Sequence, residues 1–445
     1  MHKATFLGGI ALLLGLAAAC SSEKTPYYNA ALVDKAKAVE PFIHLGRYTT
    51  ERGTTWHEMP DSTHVEPWDY MLYSGAPGIV LYYLELFDAT GDSTYLAEAK
   101  AGADYVLNVL PDSVPPNWFL GLYTGVSGMG FVLTEAYKHT GEERYKQGAL
   151  ATLPKLQAST DTTEHGLSFL DTDVMYGSAG VGLYLYYLAE AYPEVATEAE
   201  ALAHGLARGL LDNAMDSVGT SRWKMQATDT YSMDNFSHGT AGIGYFLSET
   251  YRRTQDPAYL EAALKAVKGL DLITNENGYV SHHTPGGEDL YYLSWCHGPA
   301  GTSRLFYSLH QATQDRQWMD RIEHVAQSMM ADRIDSLETP GYWNNVGKCC
   351  GAVGVGEFFL WLHQATDKAE YLDFARAMTR TIERKAYPGD TLKWLQAEHR
   401  VRPEYLASQS GLMQGNAGIG LWYLKLAAFE QGHQPHILFP DEPKL

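Results

Sequence analysis

Residues 296–313 read CHGPAGTSRLFYSLHQAT, and residues 349–366 read CCGAVGVGEFFLWLHQAT. Each sets a Gly-x-x-Gly quartet ahead of an apolar-aromatic run long enough for about four helical turns. The phrase stands five more times: YSGAPGIVLYYLEL from Tyr73, YTGVSGMGFVLTEAY from Tyr123, MYGSAGVGLYLYYLAEAY from Met175, SHGTAGIGYFLSETY from Ser237 and MQGNAGIGLWYLKLAAFE from Met413. The first glycines are Gly75, Gly125, Gly177, Gly239, Gly298, Gly351 and Gly415, separated by 50, 52, 62, 59, 53 and 64 residues. Self-similarity at such a period marks an array of supersecondary units, none able to bury its own apolar face.

The units share an internal plan. The run after the glycines is apolar nearly all round, as a buried helix is. It stops at a turn such as Thr90-Gly91-Asp92, Thr140-Gly141-Glu142 or Thr254-Gln255-Asp256. A second helix follows with one charged face, as in Tyr259–Val267, and Asp or Thr ahead of these segments suits an N-cap. A longer, strand-poor loop leads to the next glycine pair. The expected fold is therefore all-α: an (α/α)7 toroid of seven helical hairpins, with inner and outer helix rings. Closure satisfies both ends of the array without capping repeats, and the weakly polar faces of the first and last repeats argue against an open solenoid. The glycines read as architecture, letting each loop pack closely against the start of a neighbouring inner helix. The residues flanking them then converge on one mouth of the ring.

Outside the array, Lys3 and the apolar run Phe6–Ala19 read as an export signal too short to span a bilayer. Leu16-Ala17-Ala18-Ala19-Cys20 is the cleavage site of a lipoprotein, whose cysteine thiol receives the diacylglycerol. The expected division is a signal peptide at 1–19, a lipid-anchored tether at 20–30 and the toroid at 31–445. The expected location is the bacterial envelope, outside the cytoplasm; Ser21 favours the outer membrane in a Gram-negative host. An apolar fraction of 45% provides for a sizeable core. A formal net charge of −20 excludes nucleic acid and anionic membrane surfaces as partners.

With Cys20 lipidated, Cys296, Cys349 and Cys350 remain, an odd number that no disulfide scheme satisfies. One metal taking all three as thiolates removes the difficulty. Position relative to the glycines also groups them: Cys296 lies two before its glycine, while Cys349 and Cys350 lie two and one before the next. Soft sulfur selects zinc, and three ligands leave a fourth position open to water or substrate, as in catalytic sites. In the same register His238 precedes Gly239 and is a candidate acid/base. His297 precedes Gly298 and suits a ligand, a substrate contact or a second acid. Asp173, four before Gly177, suits either orientation of a histidine or capping of a helix. The loop Ser281-His282-His283-Thr284 is expected to be solvated.

Seven glycine pairs, Trp295-Cys296-His297-Gly298 and Cys349-Cys350-Gly351 together resemble the lanthionine synthetase C-like family, from about Tyr70 to Phe429. The resemblance implies an α/α toroid with one zinc ion, held here by Cys296, Cys349 and Cys350. It implies that His238 is the acid/base and Asp173 the aspartate of the family's pattern. The implied chemistry is addition of a thiol to dehydroalanine or dehydrobutyrine, giving thioether rings in peptides or thiol conjugates. Three positions depart from the family's usual pattern. Cys350 stands where histidine is common, His297 where bacterial cyclases have tyrosine, and Tyr292 where they have arginine.

Two other functions fit parts of the chain. Thirty tyrosines and ten tryptophans suit a sugar cleft, with Asp173, Asp234 or Glu398 as acid and base. A non-catalytic, zinc-containing peptide-binding lipoprotein would use the same scaffold. The expected partners are a peptide or small thiol, and the membrane through Cys20; the expected state is a monomer.

Overall fold

A computed structural model describes residues 27–62, 69–116, 118–387 and 389–445. The expected signal peptide and Cys20 lie outside the described residues. The seven predicted inner helices are Ala76–Thr90, Val126–Thr140, Ser178–Ala191, Thr240–Thr254, Pro299–Thr313, Ala352–Thr366 and Asn416–Phe429. Each begins directly after the first glycine of its quartet, and the first eleven residues of the helix Ala352–Thr366 are all buried. Several end as the turns predict, on a left-handed residue: Gly91, Gly141, Gln255, Gln314 and Asp367. Asp92 and Asp256 then cap the outer helices Ser93–Val109 and Pro257–Asp271. Four more outer helices are Glu143–Ala158, Ala196–Asp212, Gln317–Ala331 and Ala369–Arg384. Among the described residues, strands are confined to three short two-stranded hairpins in the connecting loops.

The seventh repeat departs from the plan. No outer helix follows Asn416–Phe429; its outer partner is Ala30–Ala38, packed against it from the other end of the chain and tied by the Asn29 amide to the Ala427 carbonyl at 2.9 Å. Asn29 also caps that helix through its side chain. Tyr27 and Tyr28, placed in the expected tether, pack on the body: Tyr28 is buried and donates to Glu85 at 2.8 Å. After the last inner helix, residues 433–445 turn back into the lumen of the ring, a segment the repeat pattern does not announce.

Closure is written in the backbone. The residue two before each first glycine donates its amide to the carbonyl of its counterpart in the next repeat. The circuit runs Tyr73→Tyr123→Met175→Ser237→Cys296→Cys349→Met413→Tyr73, with N···O distances of 2.8, 3.3, 3.1, 2.9, 3.0, 2.9 and 2.9 Å. Seven bonds returning to their origin make a closed toroid and fix one register for all seven loops. The glycines permit this close approach: each loop packs on the start of its own inner helix, and loop side chains such as Leu72, Val174 and Phe236 pack on the neighbouring one at Gly128, Gly242 and Gly301, as expected. A Cβ at Gly301 would stand 2.0 Å from the Trp295 carbonyl oxygen, and one at Gly354 2.2 Å from that of Lys348. Among the described residues, no helix is long and apolar enough to cross a membrane.

Candidate metal and acid/base site

Since the ring of loops holds one register, most side chains one and two before the glycines share one mouth. Those of repeats five and six, counted from Gly75, are Cys296, Cys349 and Cys350. All three are free thiols, the first two buried and the third partly so. Their sulfurs lie within 4.8 Å of one another, Cys296 to Cys350 at 3.3 Å and Cys349 to Cys350 at 3.4 Å. A tetrahedral zinc with ~2.3 Å bonds to sulfur holds its ligands about 3.8 Å apart, so the triangle needs only tenths of an ångström of adjustment. Without a cation the trio shares protons unevenly. Hydrogen bonds from Cys296 and Cys349 hold the Cys350 thiol well below its usual range, while burial pushes Cys296 up. A soft divalent cation matches that donor set. Gln414, in the same register of repeat seven, donates to the Cys350 sulfur at 3.5 Å and to the Tyr73 hydroxyl at 3.1 Å.

His238 and Asp173 meet across repeats four and three. The His238 Nδ1 lies 2.7 Å from the Asp173 Oδ2, and Asp173 is fully buried with its other oxygen accepting the Tyr176 amide at 2.8 Å. With Nδ1 occupied by the carboxylate, Nε2 is the nitrogen left to exchange protons. Asp173 therefore orients the histidine and holds the turn at Tyr176; it caps no helix, since the inner helix Ser178–Ala191 carries no side-chain cap. Tyr176 stacks over the His238 ring at a centroid distance of 5.7 Å.

His297 also lies in this mouth, with its ring centroid 5.4 Å from that of His238. Burial drives its pKa well below the ordinary histidine value, and its Nδ1 is buried without a hydrogen-bond partner. His282 corrects the solvated-loop expectation. The cis Thr284–Pro285 loop folds inward and packs its ring 4.1 Å from His297 and 4.4 Å from Tyr292. Burial lowers the His282 pKa to about 4.

One cavity of about 590 Å³ collects these groups. The three cysteines, His238, His297 and His282 line it, together with Tyr73, Tyr176, Tyr292, Gln414 and the loop Glu398-His399-Arg400. Tyr73, Tyr176 and Gln414 obey the same register rule and were findable by it. Arg400 and His399 come from a variable loop with no counterpart in other repeats, and no sequence signal points to them. Glu398, weighed only as a glycosidase carboxylate, bonds Gln409 at 2.8 Å, and burial raises its pKa. Asp234 is fully buried in an ion pair with Arg222 and also accepts from Thr240, away from this cavity.

The sequence model of the family described as "Lanthionine synthetase C-like protein" matches residues 66–439. The curated relative "Glutathione S-transferase LANCL1" of Danio rerio is 25% identical over 318 residues, spanning 69% of this chain and 73% of its own. Among solved structures, the nisin cyclase fold superposes with a TM-score of 0.59 at 16% identity, covering 81% of this chain and 89% of that one. The Lin0763 protein of Listeria innocua superposes at 0.51 with 13% identity, covering 91% and 99%. These likenesses to solved structures support the toroid. With a family match that spans most of its length, the chain belongs to the lanthionine synthetase C-like family.

Proposed function

We propose that this chain is a zinc enzyme that adds thiols to dehydroalanine or dehydrobutyrine residues. The observation that carries the reading is the convergence of three cysteine sulfurs and an aspartate-oriented histidine on one cavity. Cys296, Cys349 and Cys350 would hold the zinc, and the zinc would keep a substrate thiol as thiolate at neutral pH. In the addition, the S–H bond breaks and a sulfur–carbon bond forms at the β-carbon. The double-bond electrons pass to the α-carbon side as an enolate, which takes up a proton. No oxidant or reductant is needed. His238, held by Asp173 with Nε2 free, carries that proton. The uncharged rings of His282 and His297 add no repulsion toward a cation. The relative named a glutathione S-transferase favours conjugation of a small thiol as one form of the reaction.

We further propose that the protein is exported and anchored through Cys20, so its substrate would be met outside the cytoplasm. The test uses the mature chain. One zinc per chain, with glutathione added to a dehydroalanine peptide by wild type and not by Cys350→Ala, supports the reading. Bound zinc without addition, but with retained peptide binding, would favour a non-catalytic binding protein instead. A freshly reduced protein without zinc would overturn the mechanism.

A further inference from the structure

The segment 433–445 fills part of the lumen directly beneath the cysteine loops. Its first hold is Glu85, whose carboxylate accepts the amides of His436 and Ile437 at 3.0 and 2.9 Å. Further in, the Phe439 ring packs on Phe131 and lies 4.7 Å beneath the ammonium of Lys348. Asp441 is fully buried at the axis. Its carboxylate accepts from the Tyr123 hydroxyl at 2.8 Å, the Trp295 indole at 3.1 Å and the Arg304 guanidinium at 2.5 Å. Tyr123 belongs to repeat two and Trp295 to repeat five, three places apart in a ring of seven. One carboxylate therefore ties opposite sides of the ring together.

The two residues touched on the cysteine side occupy equivalent places. Trp295 immediately precedes Cys296, and Lys348 immediately precedes Cys349. Both lie three before a first glycine, where the backbone is pinned against the helix start by Gly301 and Gly354. Trp295 and Lys348 reach down to the segment in the lumen, while Cys296, His297, Cys349 and Cys350 line the mouth; Tyr123, two before its own glycine, also turns down to Asp441. Trp295 is further wedged between Tyr123 and Phe236, with ring centroids at 5.0 and 5.6 Å. The segment thus presses on the residue beside each ligand-bearing turn, from the side away from substrate.

We propose that Asp441 is a positioning residue for the metal site: by holding the Trp295 indole it fixes the Cys296 turn, and so sets how tightly the three cysteines bind zinc. The inference rests on the zinc reading of the site but adds to it a control point outside the substrate cavity. Outer partners bonded directly to a ligand govern metal affinity by about ten- to a hundredfold, and Asp441, acting through the residue beside the ligand, belongs at the low end.

The test compares the full mature chain with Asp441→Asn and Trp295→Phe. The second variant leaves the Arg304–Asp441 pair intact but removes buried ring volume together with the indole donor, so the circular dichroism decides which variants are folded and compared. Zinc affinity is read by competition with a chromogenic chelator, alongside circular dichroism of the metal-free proteins. The expected result is affinity weakened about tenfold in each folded variant, with the double variant no weaker than the worse single one. Unchanged affinity in folded variants would overturn the proposal and leave the segment a plug. If wild type binds no zinc, the zinc reading fails separately, and the rate of Cys296 alkylation decides the positioning role. Faster alkylation in both variants supports it, and equal rates reject it.

Discussion

The backbone of the mouth is the same in all seven repeats, but its side chains divide the ring into two arcs. Repeats three to six carry Tyr176, His238, Cys296 with His297, and Cys349 with Cys350 at the positions beside their glycines. Repeats seven, one and two carry Gln414, Tyr73 with Ser74, and Thr124, whose neighbour Tyr123 turns down to Asp441. One arc holds the groups proposed to bind metal and carry protons; the other holds neutral donors and a wall. The amide circuit through Tyr73, Tyr123, Met175, Ser237, Cys296, Cys349 and Met413 is indifferent to that division. Architecture is therefore set by the backbone register and the glycines, and chemistry by residue choice at two positions per repeat.

The division breaks most severely at the sulfurs. Cys350→Ala leaves two thiols, too few for a tight site, and zinc measured by atomic absorption after dialysis should fall from one per chain to a trace. Gln414→Ala, in the other arc, removes a 3.5 Å contact to the same sulfur along with bonds to Tyr73 and Asn345, but no thiol, and should keep stoichiometric zinc. A second break falls on the proton carrier. His238→Asn should lower the rate of thiol addition about 10²- to 10⁴-fold with zinc content unchanged. Asp173→Asn should share most of that loss, since the 2.7 Å contact fixes the ring. Equal zinc and equal rates in both variants would remove His238 from the mechanism.

Architecture has its own break. Gly354→Ala drives a Cβ to 2.2 Å from the Lys348 carbonyl oxygen, a fixed backbone atom beside Cys349. It should cost about 3 kcal/mol or more in urea unfolding and disturb the metal site as well. Gly141→Ala is the control. Its Cβ meets nothing within 4 Å, and only the left-handed φ of +69° is strained, worth about 1 kcal/mol. A similar, small loss at both would mean that the loop around Lys348 gives way, and that close packing is not why Gly354 is glycine.

The same contrast explains what was legible in the sequence. The toroid, the inner helices and the cysteine trio follow from a register that repeats seven times, because closure converts sequence position into spatial position. His238 and Asp173 were legible for the same reason, and Tyr73 and Gln414 would have been. Groups that enter from outside the register escape the pattern. Arg400 arrives on a loop of variable length, and His282 on a turn whose burial depends on packing against Tyr292 and His297. The seventh outer helix and the segment carrying Asp441 come from the two ends of the chain. Nothing in a repeat indicates that distant segments will complete it.

His282 offers the smallest break and tests that last point. An ordinary histidine titrates near 6.5, whereas burial holds this one neutral down to about pH 4. The unfolded chain therefore takes up a proton between those values that the folded chain refuses. Stability present above pH 6.5 is lost as pH falls toward 4, with a slope of at most about 1.4 kcal/mol per pH unit from this one group. His297, buried and unprotonated beside it, adds in the same direction. His282→Gln cannot titrate, so its metal-free unfolding free energy should fall less steeply across that window than that of wild type. A solvated His282 would give parallel curves, and the loop would then belong to the surface, as its sequence alone suggests. Diverging curves would place it in the wall of the cavity, where an uncharged ring from outside the register joins the lining shared with the three sulfurs.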